Sequence, residues 1–187
     1  MFANIEYNLH IWDTAGDYKY VNSNMLNIIT KIKTSIVDKL LSNQDSNKLN
    51  NILKCKDNEG NSICYYLAVY HNKIFKELIN TKKINSTHLC SNYNSETFLM
   101  KLIKHSQEFN LDPIIKWIIN NCIIDVADYF VDNNYGSILT YCLKYNKLLI
   151  KHFLTHDIIN YCINVYDTYK MICPYSDFAK SGILKMN

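Results

Sequence analysis

Cysteine and histidine are the side chains in this sequence with the widest chemistry, because both bind metals and the cysteine thiolate is a nucleophile. No Cys-x-x-Cys pair occurs, although structural zinc sites usually take paired ligands at short spacing. We therefore expect no metal site and no cofactor. The seven cysteines are scattered evenly through the sequence: Cys55, Cys64, Cys90, Cys122, Cys142, Cys162 and Cys173.

Two histidine arrangements come nearest to a pair of metal ligands. His88 and Cys90 lie two residues apart, but no second pair accompanies them. His152 and His156 lie four residues apart and share one face of a helix, with no glutamate or third ligand beside them. We interpret the second pair as part of a solvated helix face.

A catalytic cysteine would need partners from distant parts of the chain, so spacing alone leaves that possibility open. Cys64, Cys142 and Cys173 occupy equivalent positions in a recurring pattern described below, and burial in a core explains them. Asp125 and Asp128 form a carboxylate pair in a loop, where solvation or helix capping is the simpler interpretation. With no signal for a catalytic group, we expect a protein that is not an enzyme.

Residues 9–16, which read LHIWDTAG, resemble the strand and Asp-Thr-Ala-Gly motif of Rab- and Ras-like small GTPases. The resemblance would place Asp13 on the Mg²⁺ side and the Gly16 amide at the γ-phosphate. No Gly-x-x-x-x-Gly-Lys-[Ser/Thr] loop occurs anywhere, so nothing cradles the β-phosphate, and we expect no GTPase activity. The segment is a relic of a GTPase gene, a mimic of a switch region, or an N-terminal strand or cap similar by chance; mimicry is the least favoured.

The elements that would position any site follow one recurring pattern of two apolar residues, two spacers and two apolar residues. It occurs at residues 36–41 (IVDKLL), 74–79 (IFKELI), 114–119 (IIKWII) and 149–154 (LIKHFL), in steps of 38, 40 and 35 residues. Positions i, i+1, i+4 and i+5 form one stripe on an α-helix. The pattern predicts four equivalent amphipathic helices.

A polar turn precedes three of these helices, at residues 57–64, 94–99 and 132–139. Ser62, Thr97 and Ser137 align within the turns and predict the N-caps of shorter, more apolar first helices. One unit is therefore a turn, a first helix, a loop and a second helix, over roughly 35–40 residues. Such a helix pair buries its apolar face only by stacking on neighbouring units.

This unit resembles the ankyrin repeat, which opens with an Asp-x-x-Gly-x-Thr turn, continues with Pro-Leu-His-x-Ala and carries Ile-Val-x-x-Leu-Leu in its second helix. The second unit matches at Asp57, Gly60, Ser62, Ala68, Ile74, Phe75, Leu78 and Ile79. The third unit matches at Asn94, Thr97, Leu99, Ile114, Ile115, Ile118 and Ile119.

Several features depart from the ankyrin pattern or compete with it. No unit contains Thr-Pro-Leu-His, and the third carries an insertion around residues 106–112. Tetratricopeptide and HEAT repeats have similar periods. The first lacks its Trp-Leu-Gly-Tyr-Ala-Phe-Pro pattern here, and the second does not explain the Asp-x-x-Gly-x-Ser turn.

The resulting prediction is an all-α fold, an ankyrin-like stack of about four helix-turn-helix units with a possible short N-terminal strand or hairpin. Residues 1–21 form an N-terminal extension with the GTPase-like segment, and residues 22–187 form the repeat domain. The first unit has helices at about 23–31 and 34–42. The predicted units are 22–54, 55–90, 91–130, 131–164 and a truncated 165–187.

Composition excludes several classes of protein. Four glycines and two prolines in 187 residues are too few for the tight turns of a β-sandwich or for phosphate-binding loops. The formal net charge is +3 and no basic block of five residues occurs, so we expect no nucleic-acid partner. The N-terminus lacks signal-peptide features and Lys or Asn interrupts every long apolar run. These features predict a cytoplasmic protein with reduced cysteines and no membrane association.

The ankyrin resemblance implies a protein-binding module whose concave face consists of turn tips and first helices. Tyrosines near these positions favour an interface, since tyrosine combines contact area with a polar tip. The partner and the oligomeric state are not identified by the sequence. The predicted contact residues are the turn tips: Asn58, Glu59, Asn61, Ser95, Glu96, Asn133, Asn134 and Tyr135.

Such degenerate repeats in a chain rich in Asn, Ile and Lys resemble those of poxviruses and giant viruses. The resemblance implies a protein in the host cytoplasm that engages a host or viral protein. Two alternatives stay open: a structural or assembly component of the virion, and a substrate adaptor for host ubiquitin ligase. Some poxvirus members carry a C-terminal F-box-like segment, and residues 157–187 have its place and a proline, Pro174, without a convincing match.

Overall fold

The computed structural model describes residues 29–31, 33–89, 91–121 and 137–154. The predicted N-terminal extension lies outside the described residues. So do residues 132–136 of the predicted turn at 132–139, and the truncated last unit. Within them lie nine α-helices: α1 (Thr34–Ser42), α2 (Ser46–Leu53), α3 (Ile63–Tyr70), α4 (Asn72–Asn80), α5 (Phe98–Lys104), α6 (Ser106–Phe109), α7 (Asp112–Asn120), α8 (Ile138–Tyr145) and α9 (Ile150–Phe153). Two short 3-10 helices accompany them: η1 (Ser86–His88) and η2 (Lys147–Leu149). This part of the chain is mostly helical, as the sequence predicts.

The predicted alternation of first and second helices recurs along the described chain. The first helices α3, α5 and α8 begin directly after Ser62, Thr97 and Ser137, at intervals of 35 and 40 residues. The doublets lie in α1, α4 and α7, and in η2 with α9. Helix α1 occupies the predicted residues 34–42, whereas the fourth doublet forms a 3-10 turn and one short α-helix.

Helix α2 was not predicted by the doublet pattern. Asp45 precedes it and its side chain accepts the backbone N–H groups of Asn47 and Lys48, both at 2.9 Å. Leu49 and Leu53, one helical turn apart, are buried. Because the surrounding sequence is rich in asparagine, this capped amphipathic helix is difficult to predict from the sequence.

The predicted insertion forms α6, a single helical turn that follows α5 directly. Asn110 ends it with a left-handed backbone, at φ 51°. Leu111 is then buried at the start of α7. The insertion therefore adds a short helix beside α5 and leaves the second helix in place.

One continuous hydrophobic core runs between the helices. Helix α3 packs on α2, α4 and α5, and α5 packs in turn on α7 and α8. Phe75 of α4 stacks on Phe98 of α5, with ring centroids 5.8 Å apart. Burial of a large apolar side chain contributes about 1.5–3 kcal/mol relative to exposure, so these contacts supply the main driving force. Among the described helices, none has the length and apolar character needed to cross a membrane.

The three aligned cap residues behave differently. Thr97 and Ser137 accept the N–H of Met100 and Thr140, at 3.3 and 3.2 Å. Ser62 occupies the same position, but its buried hydroxyl has no hydrogen-bond partner among the described residues. The Tyr65 amide that a cap would engage instead donates to the backbone carbonyl of Ser62, at 3.0 Å.

Removal of the two cap hydroxyls should therefore have different effects on stability. We expect Thr97→Ala to lower the free energy of unfolding by about 1 kcal/mol, because an amide at the start of α5 loses its acceptor. Ser62→Ala should cost less than about 0.5 kcal/mol, since it removes a buried hydroxyl that has no partner. Urea unfolding measures both, and Thr97→Ser, which keeps the oxygen, is the control. Equal losses in the two alanine variants would contradict this assignment.

Candidate binding surface

The turn before α3 is closed by the carboxylate of Asp57. Its Oδ1 accepts the N–H groups of Glu59 and Asn61, both at 2.8 Å. Its Oδ2 accepts the Asn61 amide at 2.8 Å and the Tyr66 hydroxyl at 2.6 Å. The backbone N–H of Asp57 also donates to the Asn61 carbonyl at 3.0 Å. One side chain thus holds the turn and ties it to α3.

The same turn recurs 35 residues later, with Asn92 in the place of Asp57. Asn92 Oδ1 accepts the N–H groups of Asn94 and Glu96, at 2.9 and 3.0 Å, and its own N–H donates to the Glu96 carbonyl at 3.0 Å. Gly60 and Ser95 are equivalent and both have left-handed backbones, at φ 82° and 59°. The second turn therefore begins at Asn92 rather than at the predicted Asn94, because an amide in place of a carboxylate obscures the match in the sequence.

Adjacent turns are joined side by side. The N–H of Tyr93 donates to the Glu59 carbonyl at 3.0 Å. Asn92 Nδ2 lies 3.5 Å from Asn61 Oδ1, and Lys101 Nζ lies 3.3 Å from the Glu59 carboxylate. The tips of the two turns therefore form one surface.

Glu96 is buried at the centre of this arrangement, with 6% of its surface exposed. Its Oε1 accepts Lys104 Nζ at 2.7 Å and the Tyr141 hydroxyl at 3.0 Å, and its Oε2 accepts Asn92 Nδ2 at 2.9 Å. Burial alone would raise the pKa of Glu96, but the hydrogen bonds from Lys104, Asn92 and Tyr141 outweigh burial and lower it. The carboxylate links the second turn to α5 and α8.

The structure divides the predicted contact residues. Asn58 and Glu59 are exposed and Ser95 is half-buried. Asn61 and Glu96 are 5% and 6% exposed, so they hold the turns from inside and offer a partner little surface. The fifth position of each turn faces its first, which explains the burial. The predicted tips of the next turn, Asn133, Asn134 and Tyr135, lie outside the described residues.

Five aromatic rings beside the turns form what we call the aromatic surface. Helix α3 supplies Tyr65, Tyr66 and Tyr70; His105 follows α5, and Phe109 ends α6. Ring centroids of neighbours lie 5.2 to 6.5 Å apart, and the contacts close a circle in the order Tyr65, Tyr66, Tyr70, Phe109, His105. Tyr65 is buried and Tyr70 is 39% exposed. The sequence predicts a role for the tyrosines but not for His105 and Phe109, which the insertion brings to them.

The edge of the aromatic surface carries acidic groups. The side chains of Glu59 and Glu108 are 68% and 64% exposed. Glu108 lies 3.2 Å from the Nδ1 atom of His105. Burial raises the pKa of Tyr70, and the negative charge of Glu108 raises it further. The surface therefore combines ring faces with carboxylates.

The cysteines of the described chain are poor candidates for catalysis. Cys55, Cys64 and Cys142 are buried thiols that form no disulfide with one another. Burial raises the pKa of Cys55 to about 11 and also raises that of Cys142, so both thiols are protonated at neutral pH. Among the described residues, no three His, Cys, Asp or Glu side chains are grouped so that they could hold a metal ion.

The histidines considered as ligands have other surroundings. His88 is buried; its Nδ1 accepts the Asn85 N–H at 3.1 Å and its Nε2 lies 3.0 Å from Asn50 Oδ1. Burial lowers the pKa of His88, which favours the neutral ring. His152 lies in α9, and its proposed neighbour His156 is outside the described residues.

A side chain at Gly60 should break the contact between the turns. A Cβ atom there would lie 2.6 Å from the Tyr93 nitrogen and 2.7 Å from its ring, on a left-handed backbone. We expect Gly60→Ala to lower the free energy of unfolding by about 2 kcal/mol. Asn58→Ala, at an exposed position of the same turn, is the control and should change it by less than about 0.5 kcal/mol. Chemical denaturation distinguishes them, and a neutral Gly60→Ala would be inconsistent with this packing.

Glu96→Gln should destabilise the protein at neutral pH by about 2 kcal/mol, because a buried charge-assisted hydrogen bond to Lys104 is lost. The pKa of Glu96 is lower in the folded chain, so the unfolded chain binds the proton more readily. The stabilisation is therefore complete above the ordinary pKa of 4.5 and is lost as the pH falls through the lowered value.

Urea unfolding at neutral and acidic pH tests this dependence. The gap between wild type and Glu96→Gln should shrink as the pH falls below 4.5. Glu108→Gln, at an exposed carboxylate, is the matched control and should follow the wild type. A gap that stays constant with pH would show that the charge of Glu96 is not the source of the stabilisation.

Comparison of the chain with protein-family models, with curated proteins and with solved structures finds no match in any of the three.

Proposed function

We propose that the chain is a non-enzymatic protein-binding module, in which ankyrin-like helix pairs stack and present the aromatic surface and neighbouring turn tips to a partner. The observation that carries the proposal is the closed circle of five rings, assembled from three elements and bordered by exposed carboxylates. In the viral setting that the sequence resemblance implies, the partner is a host or viral protein.

A polar contact between successive helix pairs supports the proposed stack. His71, Ser106 and Asn146 each lie nine residues after a cap residue, and all three are buried. His71 Nε2 donates to the carbonyl of Ile29 at 2.8 Å, and Thr34 Oγ1 lies 3.1 Å from its Nδ1. Both contacts join the helix junction at His71 to the preceding unit, as a stacked array requires.

An equivalent contact recurs two units further along, at Asn146. Asn146 Nδ2 donates to Ser106 Oγ at 2.9 Å and to Asp112 Oδ1 at 2.8 Å. A buried polar group is retained where it is hydrogen-bonded, and here the partners come from the neighbouring unit. The two junctions support a common stacking geometry.

The aromatic surface suits protein recognition for physical reasons. Tyrosine rings offer large contact areas, lose little conformational entropy on binding and keep a polar tip in water. Tyr93, on the tip of the second turn, is 65% exposed. Tyr66 and Phe109 are only partly buried against the core. The rings of Tyr66 and Phe109 each pack against that of Tyr70, so binding orders few of these side chains.

Affinity capture with the full chain tests the proposal. We expect one stoichiometric partner with the wild type and its loss with Tyr70→Ala, because the most exposed ring of the aromatic surface is removed. Leu148→Ala is the matched control: Leu148 is 76% exposed and lies in η2, outside the aromatic surface.

Circular dichroism verifies that both variants fold, and mass spectrometry identifies and quantifies the partner. Equal recovery with Tyr70→Ala and wild type would refute the aromatic surface as the binding site. Recovery of this chain alone, as a self-assembly, would favour the structural alternative.

A further inference from the structure

We propose that the aromatic surface receives a basic side chain, arginine or lysine, of the protein partner, held beside the ring of Tyr70 and the carboxylate of Glu108. This inference rests on the proposed function and adds the chemistry of the group that is recognised.

The chain itself shows how this surface accommodates a cation. Lys101 Nζ lies 5.9 Å from the centre of the Tyr65 ring and 3.3 Å from the carboxylate of Glu59. A cation over a ring face is attracted by the ring quadrupole, and an adjacent carboxylate adds a direct charge interaction. Lys101 therefore occupies one ring-and-carboxylate position at the turn side of the surface.

A second such position lies on the other side, where the ring is more exposed. The Tyr70 and Phe109 rings meet edge to face, with centroids 5.6 Å apart and planes at 67°. Glu108 precedes Phe109 in α6, and its side chain is 64% exposed. Burial raises the pKa of the Tyr70 hydroxyl, and the negative charge of Glu108 raises it further. The Tyr70 ring, which stacks on Tyr66 and is 39% exposed, and the carboxylate of Glu108 are thus neighbours at the surface.

The lysines near the aromatic surface are engaged with other carboxylates. Lys104 Nζ lies 2.7 Å from Glu96, and Lys101 bonds to Glu59. Among the described residues, Glu108 contacts the ring of His105 at 3.2 Å, and this ring carries a charge only when it is protonated. The Glu108 side therefore keeps negative charge for a partner, which favours a basic group over an acidic one, since like charges repel at an interface.

The test uses two synthetic hexapeptides with alternating glycine, one with arginine and one with citrulline. Citrulline has nearly the shape of arginine without its charge, so the pair isolates the cation. NMR titration of the full-length protein follows the amides of Tyr70 and Phe109. We expect saturable shifts with the arginine peptide, at least about threefold weaker binding of the citrulline peptide, and weakening by added salt.

Glu108→Gln should weaken binding of the arginine peptide by at least about threefold. Glu77→Gln, at an exposed position of α4, should leave that affinity unchanged. Equal binding of the two peptides, no binding of either, or an unchanged affinity in Glu108→Gln would overturn the inference. The proposed function is tested separately with the captured partner. Loss of that partner in Tyr70→Ala with full retention in Glu108→Gln would keep the binding surface and reject the basic group.

Discussion

The buried carboxylate of Glu96 is the interaction on which the arrangement of the turns and helices depends. A charge removed from water is costly unless hydrogen bonds replace its hydration, and here Asn92, Lys104 and Tyr141 supply them from the turn, the end of α5 and the start of α8. All three donors reach the carboxylate only when the turn, α5 and α8 are in place. The carboxylate therefore selects one relative position of the second turn and the following helix pair.

The hydrogen bonds within and between the turns fix the positions of the residues at the surface. Asp57 and Asn92 close equivalent turns with the same backbone contacts, and the amide of Tyr93 bonds to Glu59 across the gap between them. Because the turn tips are held from inside, their exposed side chains are displayed on a rigid backbone. The insertion α6 then widens the surface by bringing Phe109 against Tyr70. The proposed binding site thus combines a feature common to two units with one peculiar to the third.

Much of the fold was predictable from the apolar doublets and the aligned cap residues. Helix α1 follows from the apolar stripe that a helix must bury, and the first-helix starts follow from the aligned Ser62, Thr97 and Ser137. Burial of the candidate contacts was not predictable in the same way. A glutamate at a turn tip is expected to be exposed. The contacts of Glu96 with Asn92, Lys104 and Tyr141 place it inside the structure.

The sequence by itself determined the helical class, the spacing of the units and the place of the insertion, because these depend on local periodicity and on turn chemistry within a few residues. The tertiary structure alone decided which polar side chains are buried, that Asn92 rather than Asn94 begins the second turn, and that five rings meet on one surface. The meeting of the rings and the burial of Glu96 depend on contacts between residues 40 and 45 positions apart, Tyr65 with His105 and Glu96 with Tyr141. Distances of that kind are set by how helices pack, which no local pattern encodes.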